Sequence, residues 1–289
     1  MSQFAGKTAV ISGGAEGIGL SIAKALGEQK MNIVLADINE ASLKQAYIEL
    51  ENAGIQVLTV ALNVAEEAQW QNVAEQALAR FGKIHMVVNN AGVGGGGGSI
   101  EEQDAKAWEW VLDVNLMGVV YGTKVMVPLI KQHGEGGWVV NVASMAGMAG
   151  VPYAGAYTAT KAAVIALSES WAGELEDADI SVSVLCPAFV QTRIYDSQRN
   201  RPARYQSDTA KNGNSSSDKS KQMVENGMDV SIVGKRVVEA LNDGELYIFT
   251  HPNYRDVIQQ HSAAIDAAFE RAAQSSLLQD IVNQNLDML

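Results

Sequence analysis

Lys7-Thr-Ala-Val-Ile-Ser12-Gly13-Gly14-Ala15-Glu16-Gly17-Ile18-Gly19-Leu20-Ser-Ile22-Ala23-Lys-Ala-Leu26 is the stretch that decides the fold. Lys7 to Ser12 is a short apolar run rich in β-formers and reads as a strand. Leu20, Ile22, Ala23 and Leu26 recur at helical spacing. The glycine-rich turn between them lets backbone N–H groups approach a pyrophosphate, whose negative charge the helix N-terminus favours. A second strand, Asn32-Ile-Val-Leu-Ala36, ends at Asp37. That acid lies about twenty residues beyond the turn, where a ribose 2′-hydroxyl is bound in dinucleotide sites. The glycines are spaced Gly-x-x-x-Gly-x-Gly rather than Gly-x-Gly-x-x-Gly. A lone glycine turn serves equally well to reverse a chain. The strand, helix and terminal acid together point to cofactor binding.

The same rhythm runs on. Strand-like runs are Thr8–Ser12, Asn32–Ala36, Gln56–Leu62, Met86–Asn89, Trp138–Val142, Ser181–Cys186 and Tyr247–Phe249. Helical patterns lie between them, among them Glu66–Phe81, Ala105–Lys131 and Tyr157–Leu175. Such alternation predicts an α/β fold with one doubly wound parallel sheet of about seven strands and helices on both faces. Ligands of such sheets bind beyond the carboxyl ends of the strands. Asp37, Asn63, Asn90, Ser144 and Pro187 all fall at or just after a predicted strand end. One domain is expected over 1–250, with 251–289 as a C-terminal helical extension of it; Asp256–Ala273 reads as a helix.

Tyr157 and Lys161 stand four residues apart, with Ser144 thirteen residues upstream of the tyrosine. On a helix, positions i and i+4 share a face. A free phenol loses its proton near pH ~10. A neighbouring cation lowers that value and makes the phenol able to exchange a proton with an alcohol or ketone. Ser144 would hold the same oxygen. Tyr-x-x-x-Lys alone is also an ordinary exposed helix pair.

Together these residues resemble the short-chain dehydrogenase/reductase family over roughly residues 5 to 250. The motifs come in order: the turn Ser12–Gly19, Asn89-Asn90-Ala91-Gly92, Asn115, Ser144, Tyr157 with Lys161, and Pro187 followed by Val190 and Thr192. The resemblance implies a Rossmann-like domain and a catalytic tetrad. Tyr157 would be the acid/base and Lys161 would lower its pKa and bond the nicotinamide ribose. Ser144 would orient the substrate oxygen, and Asn115 would hold a water linking Lys161 to solvent. It implies a cofactor cradle of Gly13, Gly17, Ile18, Gly19, Asp37, Asn63, Val64, Asn90, Ala91, Gly92, Tyr157, Lys161, Pro187, Val190 and Thr192. Four positions depart from the family pattern: Ser12 for Thr, Asn63 for Asp, His85 for an acid before the fourth strand, and Ala188 for the glycine after Pro187.

Charge argues for NAD. Asp37 suits a free 2′-hydroxyl and repels a 2′-phosphate, Glu16 adds to that repulsion, and Ile38 supplies no cation. The expected reaction is interconversion of a secondary alcohol and a ketone by hydride transfer. The alternatives are an NADPH-dependent ketoreductase and a catalytically silent nucleotide-binding regulator. The Arg201-Pro-Ala-Arg-Tyr205 stretch and Leu246-Tyr-Ile248 resemble family members that oxidise benzylic alcohols of lignin-derived aryl ethers; steroid, sugar, polyol and acyl-chain substrates stay open.

Composition sets bounds. The 289 residues are 47% hydrophobic with net charge −12 and a pI near 4.8, which argues against nucleic acid or an anionic membrane as partner. Cys186 is the one cysteine, so an internal disulfide is impossible; a cytoplasmic setting is expected. The N-terminus has no apolar signal core, and no apolar stretch is expected to approach the eighteen or more residues of a spanning helix. No metal is expected, because His85, His133, His251 and His261 show neither pairing with cysteine nor a His-Glu-x-x-His pattern. The long helices after the fourth and fifth strands point to a homo-oligomer, a tetramer or a dimer. Gly94–Gly98 reads as a slack loop or a hinge. Gln191 to Met228, polar and carrying Arg193, Arg199, Arg201 and Arg204, reads as a lid over a small-molecule alcohol or ketone, mobile until ligand binds.

Overall fold

A computed structural model describes residues 2–206, 221–282 and 284. The strands are β1 (Thr8–Ser12), β2 (Asn32–Asp37), β3 (Val57–Ala61), β4 (Met86–Asn89), β5 (Gly137–Val142), β6 (Ile180–Cys186) and β7 (Tyr247–Phe249). They form one sheet in the order β3-β2-β1-β4-β5-β6-β7, parallel at every pairing. Period-2 alternation divides the apolar residues between the two faces. Ile11, Leu35, Val88 and Val140 belong to the core cluster that contains Leu26 and Val237. Val10, Val34, Val87 and Val139 belong to the one that contains Trp70 and Met126. A sheet buried on both sides needs continuous apolar strands, and β1, β4 and β5 are buried at every residue.

The helices up to Thr250 include α1 (Gly17–Glu28), α2 (Glu40–Asn52), α3 (Glu67–Phe81), α4 (Ala105–Leu112), α5 (Gly118–His133), α6 (Gly155–Leu175) and α7 (Val230–Asp243). The long helix expected over Ala105–Lys131 is interrupted by a π-helical turn, Asp113–Met117. The extra residue in that turn places Asn115 on the inner side, where its amide bonds both polar groups of the Val93 peptide. Ala105–His133 is also long and apolar enough to cross a membrane, which corrects the expectation that no stretch reaches that length. Within its apolar window, 61% is buried inside the protein, so that surface serves the core.

His85 stands just before β4, where the family pattern has an acid. It is buried, and its Nδ1 accepts the Thr8 backbone N–H at 3.1 Å, the service a carboxylate would perform at the foot of the sheet. Its Nε2 meets Glu135 Oε2 at 3.1 Å, and Lys83 pairs with the same carboxylate. Sequence spacing did not pair the histidines, but the fold brings His85, His133 and Glu135 together, with ligand atoms within 4.8 Å of one another. His133 Nε2 lies 2.8 Å from the Ile84 carbonyl, and its Nδ1 accepts the Glu135 N–H. Every ring nitrogen is thus engaged, and the cluster reads as a staple joining the starts of β1, β4 and β5.

The chain divides into two compact units, one ending at Thr250 and one beginning at His251. The second contains α8 (Arg255–Ala273) and α9 (Gln279–Val282).

Candidate active site

In the strand order, β1 lies between β2 and β4, and the chain's direction of travel across the sheet reverses there. A doubly wound sheet opens a crevice at that place. The glycine turn after β1 lies against the loop after β4. Gly13 has φ +59°, and a Cβ on it would meet the Ala91 Cα at 2.8 Å. Only glycine allows both that conformation and that approach. The Ser12 hydroxyl accepts from the N–H groups of Asn90 and Ala91 at 3.0 and 3.2 Å, so the Ser-for-Thr departure keeps its function. Asn90 donates from Nδ2 to the carbonyls of Ser12 and Gly13, both at 2.9 Å. Glu16 is the N-cap of α1 but makes no capping bond with its side chain. The Ile18 and Gly19 positions open the same helix.

At the ribose end, Asp37 closes β2. Its carboxylate accepts from the N–H groups of Ala15 (3.2 Å) and Asn39 (3.0 Å). Burial pushes its pKa up, opposed by these backbone bonds. Asn63 follows β3 and turns Oδ1 onto the Ala65 N–H at 3.2 Å, which leaves one acceptor lone pair for an adenine amino group. Val64 is buried beside Gly118.

The four residues of the expected tetrad converge from three elements: the π turn, the loop after β5 and α6. Ser144 follows β5, accepts the Ala146 N–H at 3.1 Å and is hydrogen-bonded to Tyr157. Tyr157 and Lys161 stand on α6, with Lys161 Nζ 5.7 Å from the tyrosine ring centroid. A Cβ on Gly92 would lie 3.5 Å from both Asn115 Oδ1 and Lys161 Nζ, so both polar groups face this glycine. Pro187 accepts the Met145 N–H through its carbonyl, which ties the β5 and β6 ends together. Val190 bridges to Met228, and Thr192 packs over Gly17. Ala188 is not among the positive-φ residues, so the missing glycine leaves ordinary backbone there.

One electrostatic expectation is corrected. Lys161 does not depress Tyr157 in this arrangement. Burial pushes the phenol up, and the Ser144 hydrogen bond opposes it. The ammonium instead donates to the Val142 carbonyl at 2.7 Å, and burial pulls Lys161 down to about 8. Cys186 is pushed up to about 12 by burial, which makes it a packed thiol rather than a nucleophile.

The segment after β6 also departs from expectation. Residues 207–220 of the expected lid lie outside the described residues. In 191–206 all four arginines meet carboxylates: Arg193 and Arg199 reach Glu16 and Asp196, Arg201 reaches Asp104, and Arg204 reaches Glu66. The repulsion expected from Glu16 is therefore offset, since two guanidiniums, one of them 183 residues away along the chain, fold back onto it. The Tyr205 hydroxyl donates to Asp113 at 2.7 Å, and the Arg201 guanidinium lies 5.5 Å from the Trp110 ring centroid. Gly94–Gly98 is not slack at its ends. The Gly94 N–H donates to Ser197 Oγ at 3.0 Å, and the Gly98 N–H to the Tyr153 carbonyl at 3.1 Å.

Comparison with known proteins decides the family. The short chain dehydrogenase model matches residues 7–203. The chain belongs to the short-chain dehydrogenase family. This short-chain dehydrogenase is similar to the CLA biosynthesis dehydrogenase/reductase of Lactiplantibacillus plantarum, at 35% identity, with 90% of this chain and 93% of the relative covered. It is similar to the C alpha-dehydrogenase of a Sphingobium strain, at 31% identity, with 92% and 87% covered. A solved short chain dehydrogenase/reductase from Burkholderia phymatum, in complex with NAD, superposes with a TM-score of 0.89 at 35% identity over the full length of both chains. The chain is thus an oxidoreductase of this family with a seven-stranded Rossmann-like sheet.

Proposed function

We propose that this short-chain dehydrogenase uses NAD(H) to interconvert a secondary alcohol and a ketone, with Tyr157 as general acid/base. The observation that carries the reading is the convergence of Asn115, Ser144, Tyr157 and Lys161 beside the Gly13–Asn90 contact. The turn fits a dinucleotide: Gly13 and Gly17 have positive φ, and the α1 N-terminus is free of a side-chain cap. Gly13, Gly17, Ile18, Gly19, Asn90, Ala91 and Thr192 would hold the pyrophosphate side, and Asp37, Asn63 and Val64 the adenosine side. Gly92, Pro187 and Val190 would line the nicotinamide side. When bound there, NAD would supply the acceptor for the hydride of the alcohol carbon, and NADH the donor for the reverse reaction.

The chain supplies position and proton. In oxidation Tyr157 takes the hydroxyl proton; in reduction it gives that proton back to the carbonyl oxygen. Ser144 bonds the phenol and favours its ionised form against the cost of burial. It would also hold the substrate oxygen at the distance a proton crosses. Lys161 keeps its charge below about pH 8, and its ammonium would bond the nicotinamide ribose. Asn115 would hold the water through which Lys161 exchanges protons with solvent. Asp37 supports NAD over NADP, since its half-buried carboxylate at the end of β2 would repel a 2′-phosphate. The likeness of residues 201–205 and 246–248 to aryl-ether alcohol dehydrogenases supports a benzylic alcohol as substrate class.

Tyr157→Phe with a panel of secondary alcohols tests this. Turnover should fall by on the order of a hundredfold or more, while NADH still binds. Near-normal turnover in the variant removes Tyr157 from the chemistry. Tight NADP binding by the wild type would favour the ketoreductase. NAD binding without turnover on any alcohol or ketone would favour a nucleotide-binding regulator.

A further inference from the structure

Glu16 stands in the glycine turn, yet its carboxylate is directed away from its own helix. Oε1 accepts the Ser42 hydroxyl at 2.6 Å, at the start of α2. Oε2 meets Arg199 Nη2 at 2.8 Å, and Arg193 Nη1 lies 3.7 Å from Oε1. The other arm of Arg199 donates to the carbonyls of Arg193 (3.0 Å) and Asp196 (2.9 Å), the first turn of Ile194–Asn200. One guanidinium therefore both closes that turn and fastens it to the glycine loop. Thr192, just before it, lies over Gly17, where an added Cβ would be 3.3 Å from the threonine methyl. The fastened segment thus covers the turn that our functional reading gives to the pyrophosphate. Arg193 and Arg199 balance Glu16 and Asp196, so the joint carries no net charge.

We propose that Glu16 is a positioning residue that, through Arg199, latches the segment after β6 onto the cofactor turn and so sets the rate at which the dinucleotide exchanges. The inference rests on the NAD reading above. On that reading a dinucleotide leaving the turn would displace Thr192 from Gly17, and Thr192 is tied to the turn at Ile194–Asn200 by chain connectivity. The latch is an ion pair with both side chains partly open to solvent, 23% and 31% exposed. Its strength therefore falls with salt, and its loss changes a rate by a moderate factor. The Ser42 bond extends the connection to the α2 terminus, next to Asn39, whose N–H bonds Asp37. Occupation of the ribose end and position of the segment are joined through one carboxylate.

Stopped-flow measurement of NADH release from the full chain tests this, with Glu16→Gln and Arg199→Met as the variants. Both should speed release by about two- to fivefold, the range of a partly exposed ion pair. KM for NAD should rise with the release rate. The double variant should be no faster than either single one, and added salt should bring the wild type toward them. The pH profile of turnover should stay unchanged. Unchanged or slower release in Glu16→Gln overturns the latch. Slower release there with faster release in Arg199→Met would mean that the freed arginine grips the pyrophosphate instead. Wild-type protein that shows no NADH signal at all would count against the NAD reading itself and is distinguishable from a latch failure.

Discussion

Lys161→Met should do two opposed things: abolish turnover and leave the protein no less stable at neutral pH. Lys161 is 3% exposed, and burial holds its ammonium near pKa 8 against 10.5 in the open chain. Each pH unit of that displacement is worth about 1.4 kcal/mol, so carrying the charge at pH 7 costs on the order of 3 kcal/mol. Methionine fills the same volume and removes that cost. It also removes the bond to the Val142 carbonyl, and a hydrogen bond from a charged donor is worth roughly 1.5–3 kcal/mol. The net change at pH 7 lies between zero and about 1.5 kcal/mol of gain, up to about 5 °C in Tm for a chain of this size. The sign with pH follows from the depressed value. Between about 8 and 10.5 the unfolded chain binds a proton that the folded one does not, so wild-type stability gains from this group as pH rises. Subtracting wild type from variant cancels the other titrating groups. Thermal unfolding at pH 7 and pH 10 should show the variant equal or better at the first and clearly worse at the second. A variant that is several degrees less stable at pH 7, with the same deficit at pH 10, would refute the argument that Lys161 is a strained buried cation. Turnover above about a hundredth of wild type would refute its place beside Tyr157.

His85→Ala should lower Tm by several degrees. It leaves the buried Thr8 N–H without its acceptor, a loss of about 1–3 kcal/mol; His85→Asp should recover much of it, and equal Tm values for the two would sink this account. Burial keeps His85 below its usual pKa, so its contribution is present above about pH 6.5 and lost as pH falls toward the lowered value. His85→Asp should therefore flatten the acid limb of the stability curve below about pH 6.5, read by urea unfolding. Asp37→Ala with Ile38→Arg should raise the ratio of NADP to NAD use by about tenfold or more, since a charge-assisted contact is worth roughly 1.5–3 kcal/mol; an unmoved ratio means that the carboxylate does not face the ribose. Light scattering should give a tetramer or dimer, and a monomeric mass would leave α5 and α6 without the expected partner.

What was legible in the sequence is what depends on local period and on single residue types. Ile11 and Val10 fall in opposite core clusters because strand side chains alternate, and a pattern of that kind is written in the order of residues. Asp37 falls at a strand end for the same reason. The direction in which a long polar side chain turns is not written there. Lys161 shares a helix face with Tyr157, as the i+4 rule requires, but its four-carbon stem carries the ammonium to Val142, and burial then overrides the neighbour effect. Nor does spacing foretell the π turn at Asp113–Met117, since it depends on Asn115 finding both polar groups of the Val93 peptide. The arginines show the limit most sharply. A window around Glu16 contains no cation, and the inference of repulsion toward a phosphate follows from it. Folding brings Arg199 to 2.8 Å across a separation of 183 residues, and the acid becomes half of a joint. Asp37 carries the cofactor argument by itself once Glu16 is neutralised. Its carboxylate is bonded to backbone N–H groups, those of Ala15 and Asn39 among them, and faces no arginine among the described contacts.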